Sequence, residues 1–326
     1  MQGSVEHALA VPAPAPAGGL PSPVAPGSVG AWLMALRPRS LVIAVSPVLA
    51  AMALIWSRGD AIDPLQALLV FAAAVMMQVI TNLQNDVGYT LRGGEKKGTR
   101  IGLPRATGLG LLTPGQVQVA IAIAILITLA LGLPLVMARG TPVLLMGLAS
   151  ILAALAYMGG PRPIAYTPLG ELTVMVFFGF VAVVGTDYAL TGGAADPVLW
   201  LAAASVGGIA TAAIVVNNAR DWEHDRSVGR VTLAVLAGRR AMDGVFAALV
   251  LGPLLLLLPM AWLAQSPWLL LPAVLAPACV RLARDFANCP PGLPYNGVLF
   301  RTFLMELKFA ALLVVDALDV LLLAGL

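Results

Sequence analysis

From residue 30 almost to its C-terminus the chain repeats one pattern, an apolar run of about twenty residues closed by proline, glycine or charge. A helix of about that length crosses the hydrocarbon core of a bilayer. Little constrains a fold more, because within lipid every backbone N–H and C=O must find its partner inside the protein. The runs lie near 30–57, 64–85, 116–137, 141–158, 168–190, 198–217, 243–264, 267–285 and 302–324. All read as helices, since the alternating apolar and polar residues of a barrel strand are absent. With 60% of the 326 residues apolar and 11% charged, a water-facing surface is excluded. The sequence therefore predicts an all-α membrane protein of about nine transmembrane helices, forming one domain over 29–326. Residues 1–28, rich in Pro, Ala and Gly with no basic stretch leading into an apolar one, are expected to be a disordered tail and not a signal peptide.

Nine crossings put the termini on opposite faces. Sixteen Lys and Arg residues fall on the side of the N-terminus, whereas only Arg58 and Arg139 fall on the other. Basic residues in short loops resist translocation, so the N-terminus and the long loops are expected in the cytoplasm and the protein in the inner (plasma) membrane. For the same reason the net charge of +3 is a topology signal and not a nucleic-acid footprint; the expected surroundings are membrane lipid. Cys279 and Cys289, ten residues apart, fit no metal or redox spacing and read as two unpaired thiols.

Two cytoplasmic connections are long and polar, 86–115 and 217–243, and long loops in a compact bundle usually carry function. The second run ends in Thr81-Asn82-Leu83-Gln84-Asn85-Asp86 and the sixth in Asn217-Asn218-Ala219-Arg220-Asp221-Trp222-Glu223-His224-Asp225. Asn82 and Asp86 are four apart, as are Asn217, Asp221 and Asp225, so on a helix each set stacks on one face. Such ladders of hard oxygens suit Mg²⁺, which commonly bridges one or two carboxylates to substrate phosphates. Arg92 follows the first ladder and Arg230 the second, each in a glycine-containing loop that also offers other cations for phosphate charge. His224 projects from another face than Asp221 and Asp225 and reads as exposed, while Arg239 and Arg240 read as topology and lipid-headgroup contacts.

These motifs resemble the UbiA superfamily of intramembrane aromatic prenyltransferases, and in particular its 1,4-dihydroxy-2-naphthoate prenyltransferases of menaquinone synthesis. The likeness spans about residues 30–326. It rests on Trp32-Leu33-Met34-Ala35-Leu36-Arg37-Pro38, on Asn82 to Asp86, on Tyr157-Met158-Gly159-Gly160-Pro161 and on Ala165-Tyr166-Thr167-Pro168-Leu169-Gly170-Glu171-Leu172 with Phe177-Phe178-Gly179. Its most specific part is Asn217 to Asp221 with Asp225, Gly229 and Thr232-Leu233-Ala234-Val235. The resemblance implies a bundle around a central cavity in which Asp86, Asp221 and Asp225 hold Mg²⁺ and act on an isoprenyl diphosphate. Asn82, Asn85, Tyr89, Arg92, Asn217, Asn218, Arg220, Arg230, Tyr157 and Tyr166 are then candidate substrate contacts. The chain departs from the pattern at Tyr89, where the family carries a second Asp three residues after the first; Glu95 falls where relatives often carry another acid and is the replacement metal ligand expected here. The implied reaction moves a polyprenyl group onto an aromatic acceptor. Another aromatic acid, 4-hydroxybenzoate or homogentisate, is an alternative acceptor, and a non-catalytic lipid binder or transporter on the same scaffold an alternative role.

Overall fold

The computed structural model describes residues 24–94 and 102–323, with side chains as far as 317. The expected metal ligand Glu95 lies outside the described residues, as does the tail before residue 24. Among the described residues every regular element is helical. Helix α1 (Val29–Leu36) starts at Ser28, whose hydroxyl accepts from Ala31 N–H, and ends at Arg37 in the left-handed region at φ 50°. A 3₁₀ turn over Pro38–Leu41 leads into α2 (Val42–Ser57). Helix α3 (Pro64–Leu91) is capped by Asp63, and α4 (Pro114–Arg139) by a reciprocal Thr113–Gln116 box. Next come α5 (Thr141–Met158), and α6 (Gly170–Val174), which continues through a π-helical segment, Met175–Val181, into α7 (Ala182–Thr191). Helix α8 (Pro197–Ser227) is followed by the short α9 (Leu233–Ala237) and by α10 (Arg239–Ala264). A 3₁₀ stretch over Pro267–Leu275, α11 (Ala276–Ala287) and α12 (Tyr295–Leu323) complete the chain.

Among the described residues seven stretches are long and apolar enough to cross a membrane: 29–57, 64–91, 114–139, 141–158, 170–191, 197–227 and 239–264. The two other expected spans differ from these. Pro267, Pro272 and Pro277 punctuate the first, so it divides into the 3₁₀ stretch and the short α11. The second, α12, is a 29-residue helix that carries Arg301, Glu306, Lys308 and Asp316.

Helix α8 is the axis of the molecule, with buried residues around its whole circumference, and α2, α10 and α12 pack on it. It meets the π-helical segment so closely that a Cβ on Gly207 would lie 2.5 Å from the Gly179 Cα, a backbone approach that only small residues permit. Helices α4 and α5 instead show Leu126, Met137, Leu145 and Leu152 outward, as a lipid-facing surface requires. The expected tail boundary shifts: Gly27 N–H donates to Leu111 O at 2.8 Å and Val24 packs beside Gly30, so ordered chain begins before residue 29.

The arginines at the end opposite the polar loops tie helices together. There Arg58 pairs with Asp60, Asp187 and Asp196, tying α2 to α7 and to the start of α8. Arg139 donates to the carbonyls of Ala189 and Leu190, and to Gln66 Oε1 at 3.3 Å. Both cysteines are free and buried.

Candidate functional site

The polar sequences of both ladders remain helical beyond the apolar runs, to Leu91 and to Ser227, where loops are expected from residues 86 and 217. Composition marks where the apolar environment ends, but backbone hydrogen bonding continues past it. The two helix ends meet. The Tyr89 ring lies 6.1 Å from that of His224, and the Arg230 guanidinium stands 5.8 Å from the Tyr89 ring centroid. His224, expected exposed, is buried because Tyr89 covers it.

Below this junction lies a cavity of about 680 Å³. Its polar end is lined by Arg37, Arg39, Asn82, Asn85, Tyr89, Arg105, Asn217, Asn218, Arg220, Asp221 and Arg230. The rest is apolar and follows α3, α4, α5 and the π-helical segment down to Val70, Val136, Val143 and Ala189. Along α3, from Tyr89 to Val70, this depth is about 28 Å at the helical rise of 1.5 Å per residue. Leu129, Leu133, Leu144 and Leu148 line the cavity and are also exposed outward, so its wall between α4 and α5 is incomplete.

Arginines at the mouth interleave with tyrosines. Arg92 lies 5.4 Å from the Tyr166 ring centroid and donates to Met158 O and Gly160 O. Arg230 lies 5.4 Å from the same ring and donates to Ala165 O at 2.9 Å and to Asp225 Oδ1 at 2.6 Å. Burial opposes the Arg230 charge, but the Asp225 carboxylate and the tyrosine hydroxyls outweigh that and hold its pKa above the ordinary guanidinium value. Arg105 stands 4.2 Å from the Tyr89 centroid and donates to Asn85 O. Tyr157 also lines the cavity.

Not every expected ligand faces this space. Asp86 is fully buried and does not line the cavity. Its Oδ2 accepts from Ala106 N–H at 2.9 Å, and its Oδ1 from Thr107 N–H at 2.9 Å and Thr107 Oγ1 at 2.6 Å. Asp225 turns to Arg230. Asn82 lines the cavity but gives its amide to Leu36 O at 2.8 Å and Ser40 Oγ at 2.9 Å, joining α3 to the 3₁₀ turn. Asp221 reaches the cavity with both oxygens accepting from Arg220, Oδ1 from Nε at 3.0 Å and Oδ2 from Nη2 at 2.8 Å, while Arg220 Nη1 donates to Asn296 Oδ1 at 2.7 Å. Asn218 donates to Glu171 Oε1 at 2.9 Å, and Glu171 Oε2 is buried with no partner among the described residues.

Among the described residues no three Asp, Glu, His or Cys side chains converge on one point. Mg²⁺ asks less of a protein, since it retains waters and takes one or two carboxylates plus substrate oxygens. Asp221, with Asn217 one turn earlier, lines the cavity and so stands where a substrate-borne Mg²⁺ would meet it, its carboxylate shared with Arg220; Asp86 and Asp225, which do not line the cavity, do not in this arrangement. Sequence reasoning missed Arg105, Glu171 and Asn296. Only the place of Arg105 in a long polar loop set it apart from the other topology-determining cations.

Comparison with known proteins follows the same lines. A family model described as the UbiA prenyltransferase family matches residues 44–295. The chain is 36% identical over 261 residues to a 1,4-dihydroxy-2-naphthoate octaprenyltransferase of Escherichia coli, covering 78% of this chain and 84% of that protein. A protein of the same description in Mycobacterium tuberculosis is 33% identical over 297 residues, covering 87% of this chain and 95% of the relative. The fold is similar to that of a UbiA homolog from Archaeoglobus fulgidus bound to GPP and Mg²⁺, with a TM-score of 0.62 at 14% identity over 88% of this chain and 99% of that one.

Proposed function

The chain belongs to the UbiA prenyltransferase family, and from that premise we propose that it transfers a polyprenyl group from an isoprenyl diphosphate to 1,4-dihydroxy-2-naphthoate in quinone biosynthesis. The observation that carries this reading is the cavity itself, cationic and amide-rich at one end and apolar below it, over a depth of about 28 Å in all. A diphosphate with a long hydrocarbon tail has the same division. The names of the relatives from Escherichia coli and Mycobacterium tuberculosis supply the acceptor.

Arg105, Arg220 and Arg230 bind the diphosphate oxygens at the mouth, where guanidinium forks suit phosphate geometry. Asp221 and Asn217 hold Mg²⁺, which when bound stabilises charge on the departing pyrophosphate. Leaving with both electrons of the C–O bond, the pyrophosphate generates an allylic cation that the apolar walls keep from water. The acceptor ring lies beside Asn85 and Tyr157, just below the arginines. Its carbon bearing the carboxylate forms the new C–C bond, and the carboxylate leaves as CO₂ to restore aromaticity. The N-terminus is placed in the cytoplasm with nine crossings, because sixteen basic residues lie on the mouth side and two on the other. The domain is 29–326 with residues 24–28 packed against it, and the enzyme resides in the inner membrane.

Membranes containing the protein, supplied with labelled donor and Mg²⁺, are expected to label 1,4-dihydroxy-2-naphthoate in preference to 4-hydroxybenzoate or homogentisate. Asp221→Ala is expected to abolish transfer while folded protein persists in the membrane. Transfer to no aromatic acid, or undiminished turnover in Asp221→Ala, would overturn the reading.

A further inference from the structure

Resting on that reading of the mouth as a diphosphate site, we propose that the first polar motif of this chain seats a cation and not a metal, Tyr89 serving as the aromatic face that positions Arg105 and Arg230 toward the diphosphate. Four observations carry the assignment.

The first is the carboxylate of Asp86. Both of its oxygens accept short bonds from Ala106 and Thr107, three donors in all, and it is fully buried away from the cavity. Bringing it to a metal would leave two buried backbone N–H groups without acceptors, and a buried donor stripped of its partner costs its full desolvation penalty. Second, the residue one turn on is a phenol, an acceptor far weaker than a carboxylate for a hard divalent ion.

Third, that phenol already has an occupation. Tyr89 is fully buried, with the Arg105 guanidinium 4.2 Å and the Arg230 guanidinium 5.8 Å from its centroid. Both distances lie inside the range in which a ring quadrupole attracts a cation, and the attraction strengthens when the pair is desolvated. The ring's seat is shaped for it, because a Cβ on Gly94 would stand 2.3 Å from Cε1 and 2.6 Å from Cδ1 of Tyr89. Fourth, Arg105 immediately precedes the two residues that Asp86 holds. The acid of the motif thus fixes the loop, the loop delivers the guanidinium, and the tyrosine fixes its plane. Where the family pattern sets a second carboxylate to hold a metal, this chain supplies positive charge directly.

The test measures binding, not turnover. Full-length protein in nanodiscs is titrated calorimetrically with an isoprenyl S-thiolodiphosphate, which does not ionise readily, once with Mg²⁺ and once with EDTA. Wild type is expected to bind in both conditions, more weakly in EDTA. Arg105→Ala and Tyr89→Leu are expected to weaken the EDTA-resistant binding by about thirtyfold, the equivalent of one desolvated cation–π contact. Tyr89→Phe keeps the ring and is expected to bind like wild type, which a merely structural role for the hydroxyl would not allow. Should Tyr89→Leu fail to fold, Arg105→Lys, which retains charge but loses the stacking plane, is expected to lose several-fold in EDTA. Binding by wild type that vanishes in EDTA, or unchanged binding in Arg105→Ala and Tyr89→Leu, overturns this proposal alone. Absence of binding even with Mg²⁺ overturns the proposed function as well.

Discussion

A single carboxylate can do structural work that its motif does not advertise. Asp86 gathers Ala106 N–H, Thr107 N–H and Thr107 Oγ1, so Asp86→Asn keeps an acceptor for only one side and sets an amide donor against the other. A loss of about 2 kcal/mol is expected, read as a lower Tm and faster proteolysis in the 102–113 loop, together with a raised KM for the diphosphate donor. An unchanged Tm would show that the loop does not depend on this carboxylate. Read from sequence, Tyr89→Asp adds a metal ligand; in the fold the new carboxylate meets Arg105 and Arg230 and pairs with them instead. The donor KM is therefore expected to rise about tenfold, with no gain in Mg²⁺ affinity when the ion is titrated separately. The residue types were legible as oxygen and cation donors for phosphate chemistry, Asp221 and Arg230 among them. Which way each side chain turns was not, because Asp86 answers to a loop twenty residues away and His224 to a ring on another helix.

At the level of helices, the apolar runs located the crossings while underestimating α3 and α8, whose polar ends remain hydrogen-bonded beyond the bilayer-length stretch. The proline-punctuated segment over 267–287 was read as an ordinary span, since hydropathy does not register backbone regularity, whereas α12 is one continuous helix. Where α8 meets the π-helical segment, Gly179 and Gly207 allow the backbones to touch: a Cβ on Gly179 would lie 2.7 Å from Ala203 O. Neither backbone can yield without moving a whole helix, so Gly207→Val is expected to destabilise the protein by about 1–3 kcal/mol. Thermal denaturation in detergent checks this, and a Tm within a degree of wild type would show that the crossing is loose. Phe177 and Phe178 of the same segment line the cavity, so the variant is also expected to lower kcat in protein that remains folded.

For the whole molecule the sidedness of charge is the property most open to direct test. Leu236 is exposed at the mouth end and Ala61 at the other, and the native thiols are buried. In sealed right-side-out vesicles a membrane-impermeant maleimide is expected to modify Ala61→Cys at once and Leu236→Cys only after permeabilisation; the reverse pattern would invert the orientation. Both arginines of the end opposite the mouth, Arg58 and Arg139, are engaged in ties between helices, whereas the mouth gathers its cations around the cavity. Combined with the incomplete wall at Leu129, Leu133, Leu144 and Leu148, this makes the bundle a phase-transfer vessel. A water-soluble product leaves toward water and a fat-soluble one dissolves into the bilayer. Partition between two solvents then separates the products before they can recombine, so product inhibition is expected to be stronger in small micelles, with little oil to receive the prenylated ring, than in extended membranes.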